Sequence, residues 1–293
     1  MWVNSGKQFR QAVLENHPLA VLGVIDAYAA KLAQFAGAQA IYLSGAGVAN
    51  AHFGLPDLAM TTMTEVVDAA QRITGACSLP LLVDIDTGFG SVLNIARTIQ
   101  QMERAGVAAV QIEDQGFSKR CGHRDGKQII SCQAMQERIR AAVDARQSLD
   151  FVIMARTDAL YSESVEQVLE RISHYEEQGA DMIFLEAIED VNDLSFIASK
   201  VKVPILVNST EFGKTPIQSQ QYWYEHGAQL VLYPLSAFRA ASQASLNVFK
   251  TILQEGSQAT LIPQMQNRQE LYQVLDYLQY EEQLNRSQGE SYE

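Results

Sequence analysis

Short apolar runs alternate with amphipathic stretches along almost the whole chain. Four of these runs follow a glycine that ends a helical pattern, in AGAQAIYLS, AGVAAVQIED, QGADMIFLE and HGAQLVLYP. At these places Gly37, Gly106, Gly179 and Gly227 fit the left-handed conformation in which many helices end. Three more runs are entered through a proline, in HPLAVLGVID, LPLLVDID and VPILVNS, and the eighth is FVIMARTD. The pattern predicts eight buried strands separated by helices.

This alternation favours an α/β fold with a closed (β/α)8 TIM barrel over an open doubly wound sheet, which would also alternate strands and helices. A barrel of this kind takes roughly 250 residues, so we expect one barrel domain over residues 1–293 with a C-terminal helical extension from about residue 263. A further helix is predicted over residues 238–253. The extension contains an apolar stripe at helical spacing, formed by Leu271, Val274, Leu275 and Leu278. The stripe requires burial, either against its own barrel or against another subunit.

The charge of the chain argues against two classes of partner. With a formal net charge of −12, general attraction to nucleic acid or to an anionic membrane is not expected. No apolar run reaches the roughly 18 residues of a membrane span, and the start MWVNSGKQFR lacks the layout of a signal peptide. The three cysteines are scattered and are interpreted as free thiols. We therefore expect a cytoplasmic protein with a small-molecule ligand.

Nearly every predicted strand ends in a group that is able to bind or to catalyse. In a (β/α)8 barrel the carboxyl ends of the strands form one mouth, where the active sites of such enzymes lie. A single acid at a strand end could cap the next helix, but capping does not explain a whole ring of polar groups. The ring indicates an enzyme. In chain order it consists of Asp26, Ser44, Asp84 with Asp86, Glu113 with Asp114, Arg156 with Asp158, Glu186, Asn208 and Tyr233.

Two carboxylates two residues apart follow the third predicted strand. Asp84 and Asp86 can point to the same face because alternate residues of a strand share a face. Hard oxygen ligands suit Mg²⁺, which takes few protein ligands and keeps several waters. Paired acids also commonly face solvent, so the pair alone does not decide. Asp57 and Glu113 are further candidates around such an ion.

The segment GFSKRCGHRDGK is basic in an acidic chain. It carries Lys119, Arg120, Arg124 and Lys127 against one acid, Asp125, and we expect it to hold a multiply anionic substrate. Cys121 lies beside these cations, which would lower the pKa of its thiol and make it reactive. The segment SGAGVAN is interpreted as a tight loop whose backbone N–H groups face an anion, since it lacks the third glycine of a dinucleotide-binding fingerprint.

The motif KRCGHR resembles the K-[KR]-C-G-H signature of the isocitrate lyase superfamily. The resemblance continues through YLSGAGV, GLPDL, IEDQ, FVIMARTDAL, NSTEFG, LYPLSAFRA and MQNRQELY, from about residue 5 to about residue 283. Within the superfamily the chain most resembles the 2-methylisocitrate lyases. These enzymes use Mg²⁺ to cleave 2-methylisocitrate to pyruvate and succinate in the methylcitrate cycle of propionate catabolism. They form homotetramers that exchange a C-terminal helix, which would cover the apolar stripe.

The resemblance also implies roles for individual residues. Asp84 and Asp86 would hold Mg²⁺, with Asp57 and Glu113 acting through its waters. Cys121 would protonate the carbanion product, and Tyr42 and Glu113 complete the implied catalytic set, with Tyr42 a candidate for the base. The implied contacts to the tricarboxylate substrate are Ser44, Gly45, Ala46, Cys121, Gly122, His123, Arg156, Glu186, Asn208, Ser209, Thr210, Arg239 and Arg268. The positions that accommodate the substrate methyl are Phe184 and Leu232.

Three departures and three alternatives accompany the resemblance. Gln111 stands where histidine is common, Ala46 where glycine is common, and Leu185 where some members have proline. The alternatives are an isocitrate lyase, an oxaloacetate- or phosphonate-cleaving relative, and a catalytically silent barrel that serves as a scaffold. Isocitrate lyases usually carry long insertions, and the oxaloacetate and phosphonate enzymes generally lack the cysteine loop. The intact acids, thiol and arginines argue against a silent barrel.

Overall fold

The computed structural model describes residues 4–287 and contains a closed barrel of eight parallel strands. Each strand pairs with the next one in the chain, and the first pairs with the last. The predicted (β/α)8 barrel is confirmed. The strands are β1 Leu19–Val24, β2 Ala40–Leu43, β3 Leu81–Asp84, β4 Ala109–Glu113, β5 Val152–Thr157, β6 Met182–Leu185, β7 Ile205–Asn208 and β8 Leu230–Tyr233.

Helices connect the strands and begin at polar capping residues. The side chain of Asp26 accepts a hydrogen bond from the Ala29 N–H, and Thr62 forms a capping box with Glu65. The four glycines expected to end helices all have positive φ, between 77° and 101°. The α-helices are α1 Ser5–Glu15, α2 Ala27–Phe35, α3 Gly45–Phe53, α4 Met63–Ala76, α5 Val92–Arg104, α6 Cys132–Ala145, α7 Val165–Glu177, α8 Val191–Ala198, α9 Gln220–Glu225, α10 Ser236–Glu255, α11 Arg268–Val274 and α12 Tyr277–Ser287. Two 3₁₀ turns occupy Ala159–Tyr161 and Ala259–Gln264.

The alternation of side chains along each strand separates two hydrophobic layers. On β6, Met182 and Phe184 belong to the cluster that fills the barrel, whereas Ile183 and Leu185 belong to the larger cluster under the surrounding helices. Glu186 follows Phe184 at the next inward position. The same rule applied to the other strands brings their polar ends to one mouth.

The contacts divide the chain after Phe238 into two compact units. In the second unit, the helix expected over residues 238–253 lies within α10. The predicted apolar stripe extends over two helices, because the chain turns at Asp276, whose φ of 55° is left-handed. Within that unit Val274 is buried and Leu278 is exposed. In residues 4–287 we find no helix with the length and apolarity of a bilayer span.

Helix α1 closes the amino-terminal end of the barrel. Phe9 belongs to the same buried cluster as Leu19 and Val152, which begin two strands. We predict that Phe9→Ala lowers the free energy of unfolding by about 3–5 kcal/mol, because it removes a large buried side chain and leaves a cavity. Urea unfolding followed by circular dichroism measures the change. Leu14→Ala on the same helix is the control, since Leu14 is 69% exposed, and equal losses in the two variants would contradict this packing.

Candidate active site

Three buried carboxylates meet at the mouth of the barrel. Asp84 ends β3, Asp86 follows it by two residues, and Glu113 ends β4. One oxygen of each lies within 4.8 Å of the others. Asp86 has a φ of 50°, a left-handed value that few residues other than glycine adopt, and its N–H donates to Asp84 Oδ1 at 3.0 Å. The strand end is therefore bent so that both aspartates face the same space.

The acid cluster formed by Asp84, Asp86 and Glu113 is suited to a cation. Among the described residues, neither carboxylate oxygen of Glu113 has a hydrogen-bond partner, and Arg156 Nε is 3.6 Å from Oε2. Burial raises the pKa of Glu113 well above its usual value, although Arg156 opposes this change. Buried carboxylates without counter-charge are unfavourable, and a divalent ion with oxygen ligands removes that cost. The cluster can therefore bind a metal ion, and Mg²⁺ stays a prediction.

Lys119 contacts the acid cluster from the basic loop. Its Nζ lies 2.5 Å from Asp86 Oδ1 and 2.7 Å from Asp57 Oδ1. Burial lowers the pKa of Lys119, but the carboxylates, Asp86 first, raise it well above the usual value, so the ammonium stays charged. Asp57 thus pairs with Lys119 and is not one of the three clustered carboxylates. The pairing of Lys119 with Asp86 was not predicted from the sequence.

The four basic residues of the loop differ in burial and in their partners. Lys119 and Lys127 are buried, and each pairs with a carboxylate of the protein. Arg120 and Arg124 are exposed, and the Arg120 guanidinium donates to the Asp125 carbonyl at 3.4 Å. Binding of a multiply anionic substrate by this loop stays a prediction, and two of its four cations already pair with carboxylates of the protein. Sequence adjacency does not show the direction in which a loop side chain points.

Cys121 lies in this loop and is half-buried. Burial raises the pKa of its thiol above the usual value, and this effect outweighs the hydrogen bond from the His123 backbone, which lowers it. The prediction of a lowered pKa is therefore wrong. Burial was not visible from the sequence, and the nearest arginine in the chain, Arg120, points outward. The thiol carries its proton near neutral pH.

The loop main chain lies directly on a charged pair. A Cβ added to Gly122 would be 2.5 Å from Arg156 Nη2 and 2.5 Å from Glu186 Cγ, so only glycine fits here. Arg156 Nη2 lies 3.1 Å from Glu186 Oε2. Burial acts to raise the pKa of Glu186, but Arg156, followed by His123, holds it at about 2. The glutamate is ionised and neutralises part of the arginine charge.

His123 connects the loop to the ends of two strands. Its Nδ1 accepts the backbone N–H of Lys214 at 3.0 Å, and its Nε2 is 3.0 Å from Glu186 Oε1. Because Nδ1 is an acceptor, the ring proton lies on Nε2 and is donated to Glu186. Asn208 Nδ2, at the end of β7, donates to the same carboxylate at 3.3 Å. The structure thus brings His123, Glu186 and Asn208 together.

Other predicted residues surround this space. The Gly45 N–H donates to Asp84 Oδ2 at 3.1 Å, which places the Ser44–Ala46 segment beside the acid cluster. Ser209 and Thr210 are buried after β7. The Gln111 side-chain amide donates to Asp84 Oδ1, a contact that the sequence did not predict.

Inside the barrel, Tyr42, Phe184 and Leu232 are buried. The Arg156 Cζ lies 5.1 Å from the centre of the Phe184 ring. Burial, followed by the charge of Asp84, raises the pKa of Tyr42 well above 10, so its phenol is protonated. Phe184 and Leu232 provide an apolar floor beneath the polar mouth.

Some polar groups of the predicted ring lie elsewhere. Asp26 caps α2, Asp114 accepts from Tyr175 of α7 at 2.9 Å, and Tyr233 packs against the outer hydrophobic layer. Arg239 in α10 and Arg268 in α11 belong to the second unit and are exposed. Substrate contact by these two arginines stays a prediction.

Comparison with known proteins identifies relatives along nearly the whole chain. The family model described as phosphoenolpyruvate phosphomutase matches residues 9–253. A 2-methylisocitrate lyase of Vibrio cholerae serotype O1 is 51% identical, over 97% of this chain and 94% of its own length. The crystal structure of a 2,3-dimethylmalate lyase is 33% identical, with a TM-score of 0.89 over 98% of this chain and 96% of its own. A phosphonopyruvate hydrolase solved with oxalate and Mg²⁺ is 25% identical, with a TM-score of 0.83 over 98% of this chain and 99% of its own.

The family match extends over the whole barrel. The matched region includes every strand of the barrel and the buried acids of the mouth. The chain belongs to the phosphoenolpyruvate mutase and isocitrate lyase superfamily and, within it, to the family of the 2-methylisocitrate lyases.

Proposed function

We propose that this chain is a Mg²⁺-dependent lyase that cleaves 2-methylisocitrate to pyruvate and succinate. One observation carries the proposal: the Cys121–Gly122 segment lies on the Arg156–Glu186 pair, in the same mouth as the acid cluster. A cation site, an arginine for a carboxylate and a protonated thiol are the groups that this cleavage requires. The relative that shares 51% of its residues with this chain carries the name of the same activity.

The chain's own groups would divide the reaction between them. Arg156 would bind a substrate carboxylate through its remaining nitrogen, Nη1, because its Nε and Nη2 already contact Asp158 and Glu186. The acid cluster would hold Mg²⁺, which polarises the substrate hydroxyl and its neighbouring carboxylate when bound. Loss of the hydroxyl proton breaks the adjacent C–C bond, and its electrons move to the carbon that becomes part of succinate. Cys121 gives its proton to that carbon, and the raised pKa of the thiol keeps the proton available.

The base that removes the hydroxyl proton is proposed from two residues. Tyr42 lies inside the barrel near Asp84, and Glu113 belongs to the acid cluster. The pKa of each is raised by burial in this structure. A nearby cation lowers the pKa of an acidic group, so a bound metal ion would favour the ionised form of either residue, which is the form that can accept the hydroxyl proton.

The substrate class is proposed from the side chains that would contact the substrate. Besides Arg156, we propose that Arg239 and Arg268 contact the tricarboxylate, together with Ser44–Ala46, His123 and Asn208–Thr210. The apolar pair Phe184 and Leu232 would contact the methyl group that distinguishes 2-methylisocitrate from isocitrate. Phosphonate cleavage is less supported, since the phosphonopyruvate hydrolase shares 25% identity against 51% for the 2-methylisocitrate lyase.

The biological setting is also part of the proposal. We propose a cytoplasmic homotetramer that acts in the methylcitrate cycle. The second unit supports an intersubunit role, because Phe249, Leu278 and Leu284 are 62%, 67% and 55% exposed. An exposed set of large apolar side chains commonly marks a subunit contact. Exchange of the C-terminal helix between subunits would bury them.

We predict that turnover requires a divalent ion. Chelation should abolish pyruvate release, and Mg²⁺ should restore it. Asp86→Ala should weaken Mn²⁺ binding, measured by electron paramagnetic resonance, because it removes one carboxylate of the acid cluster. Asp68→Ala removes an exposed acid on α4 and is the matched control. Full activity of a rigorously metal-free sample would exclude the mechanism.

We predict that Cys121→Ser lowers kcat by about 10²- to 10⁴-fold, the usual contribution of a positioned general acid, with little change in substrate affinity. Serine keeps the size of the side chain but is a much weaker acid. Single-turnover kinetics and equilibrium binding separate the two effects. Cys132→Ser and Cys77→Ser are the controls and should retain catalysis. Equal losses in all three variants would indicate a structural role for the thiols.

We predict a preference for the methyl-bearing substrate of about 10- to 200-fold in kcat/KM, which is the range for one methyl group in a fitted pocket. Pyruvate release from 2-methylisocitrate and glyoxylate release from isocitrate measure it. Leu232→Thr should reduce the preference, because the hydroxyl weakens contact with the methyl while Arg156 still binds the carboxylate. Equal efficiency of the wild type on both substrates would replace this assignment with that of an isocitrate lyase.

A further inference from the structure

Asp158 lies at the centre of a buried network next to the proposed site. It directly follows β5 and is completely buried. Its Oδ2 accepts from Arg156 Nε at 2.9 Å. Its Oδ1 accepts hydrogen bonds from Arg156 Nη2 at 3.2 Å, Lys127 Nζ at 3.0 Å and Gln115 Nε2 at 3.2 Å. One carboxylate therefore contacts the substrate-binding arginine and two residues that flank the cysteine loop.

Lys127 connects this network to the backbone next to the thiol. Its side chain is 1% exposed, and its Nζ donates to the Gly122 carbonyl at 2.6 Å as well as to Asp158. On its remaining side the ammonium lies 5.2 Å from the centre of the Tyr161 ring. Its hydrogen bonds are thus made to the protein, which argues against direct substrate binding by Lys127.

Gln115 holds the chain on the other side of the thiol. Its side-chain oxygen accepts the Arg120 N–H at 3.0 Å, and its side-chain nitrogen donates to the Arg120 carbonyl at 2.9 Å. The residues before and after Cys121 are therefore both connected to Asp158, one through Gln115 and the other through Lys127. Burial of an ammonium is unfavourable unless it is paired. The buried Lys127 therefore indicates that its contacts with Asp158 and Gly122 have a role in holding the loop.

We propose that Asp158 and Lys127 are positioning residues of the lyase reaction. Asp158 orients the Arg156 guanidinium, and Lys127 links the Gly122 carbonyl, next to Cys121, to the same carboxylate. The thiol and the arginine are thereby held in one geometry, with the proton donor at a set distance from the bound substrate. This inference rests on the proposed function for its kinetic consequences, but the loop contact can be measured without turnover.

The kinetic experiment compares Lys127→Met and Asp158→Asn with a control lysine variant. Lys127→Met should lower kcat on the order of 10²-fold while KM changes little, because the thiol is displaced and the arginine is not. Asp158→Asn should lower kcat and also raise KM, because Arg156 loses its partner. Lys202→Met, which removes an exposed lysine before β7, should match the wild type. A merely structural role would not separate kcat from KM in this way.

The second experiment measures the alkylation of each cysteine by iodoacetamide with mass spectrometry. Lys127→Met should increase the rate at Cys121 on the order of 10-fold, because the loop opens locally, and should leave buried Cys77 unchanged. If the variant also accelerates alkylation of Cys77, its fold is disturbed. In that case Lys127→Gln, which keeps a donor near the Gly122 carbonyl, is used instead. We expect it to raise the rate of Cys121 alkylation by a smaller factor.

The outcomes separate this inference from the proposed function. An unchanged kcat together with an unchanged rate of Cys121 alkylation in folded Lys127 variants would overturn the positioning role. If the wild type releases no pyruvate from 2-methylisocitrate, the proposed function fails, and the alkylation rates still decide whether Lys127 holds the loop. Faster alkylation at Cys121 alone, with loss of kcat, supports both.

Discussion

Arg156 lies between two carboxylates, 2.9 Å from Asp158 and 3.1 Å from Glu186, and the architecture of the mouth depends on this ion pair. Burial of any of the three charges alone would be strongly unfavourable, but Arg156 contacts both carboxylates and Lys127 supplies a second positive charge to Asp158. Gly122 packs directly against Arg156 and Glu186, and this contact fixes the position of the basic loop. His123, Asn208 and Lys127 then bind to the same carboxylates and connect further elements to it.

A second charged group in the mouth is not balanced in the same way. The acid cluster contains three carboxylates, whereas Lys119 contacts only Asp86 among them within 4 Å, and Arg156, 3.6 Å from Glu113, is shared with Asp158 and Glu186. The surplus is negative, which explains how an acidic mouth can attract a cation and why an anionic substrate needs that cation or an arginine for binding. The two groups are adjacent, so a ligand between them would contact positive charge from the arginine and from the bound ion.

Much of the fold could be predicted because it depends on local periodicity. Eight apolar runs and four helix-ending glycines identified every strand, and the position at a strand end identified Asp84, Glu113, Arg156 and Glu186 as residues of the mouth. The rest depends on contacts distant in the chain. The inward direction of Lys119, the raised pKa of Cys121 and the network around Asp158 arise only when the loop folds onto the strand ends. Asp26 and Asp114 were misplaced because a strand-end acid looks the same in sequence whether it caps a helix or faces the barrel.

The placement of Phe184 two residues before Glu186, at successive inward positions of one strand end, has a consequence for the divergence of this family. Residues two apart on a strand are about 7 Å apart and lie in successive layers. A change in the apolar layer can therefore reshape the part of the cavity that meets the variable portion of a substrate, while the ionic layer above stays intact. Related barrels could exchange one organic acid for another through substitutions in the lower layer, without rebuilding the groups that bind carboxylates or transfer protons.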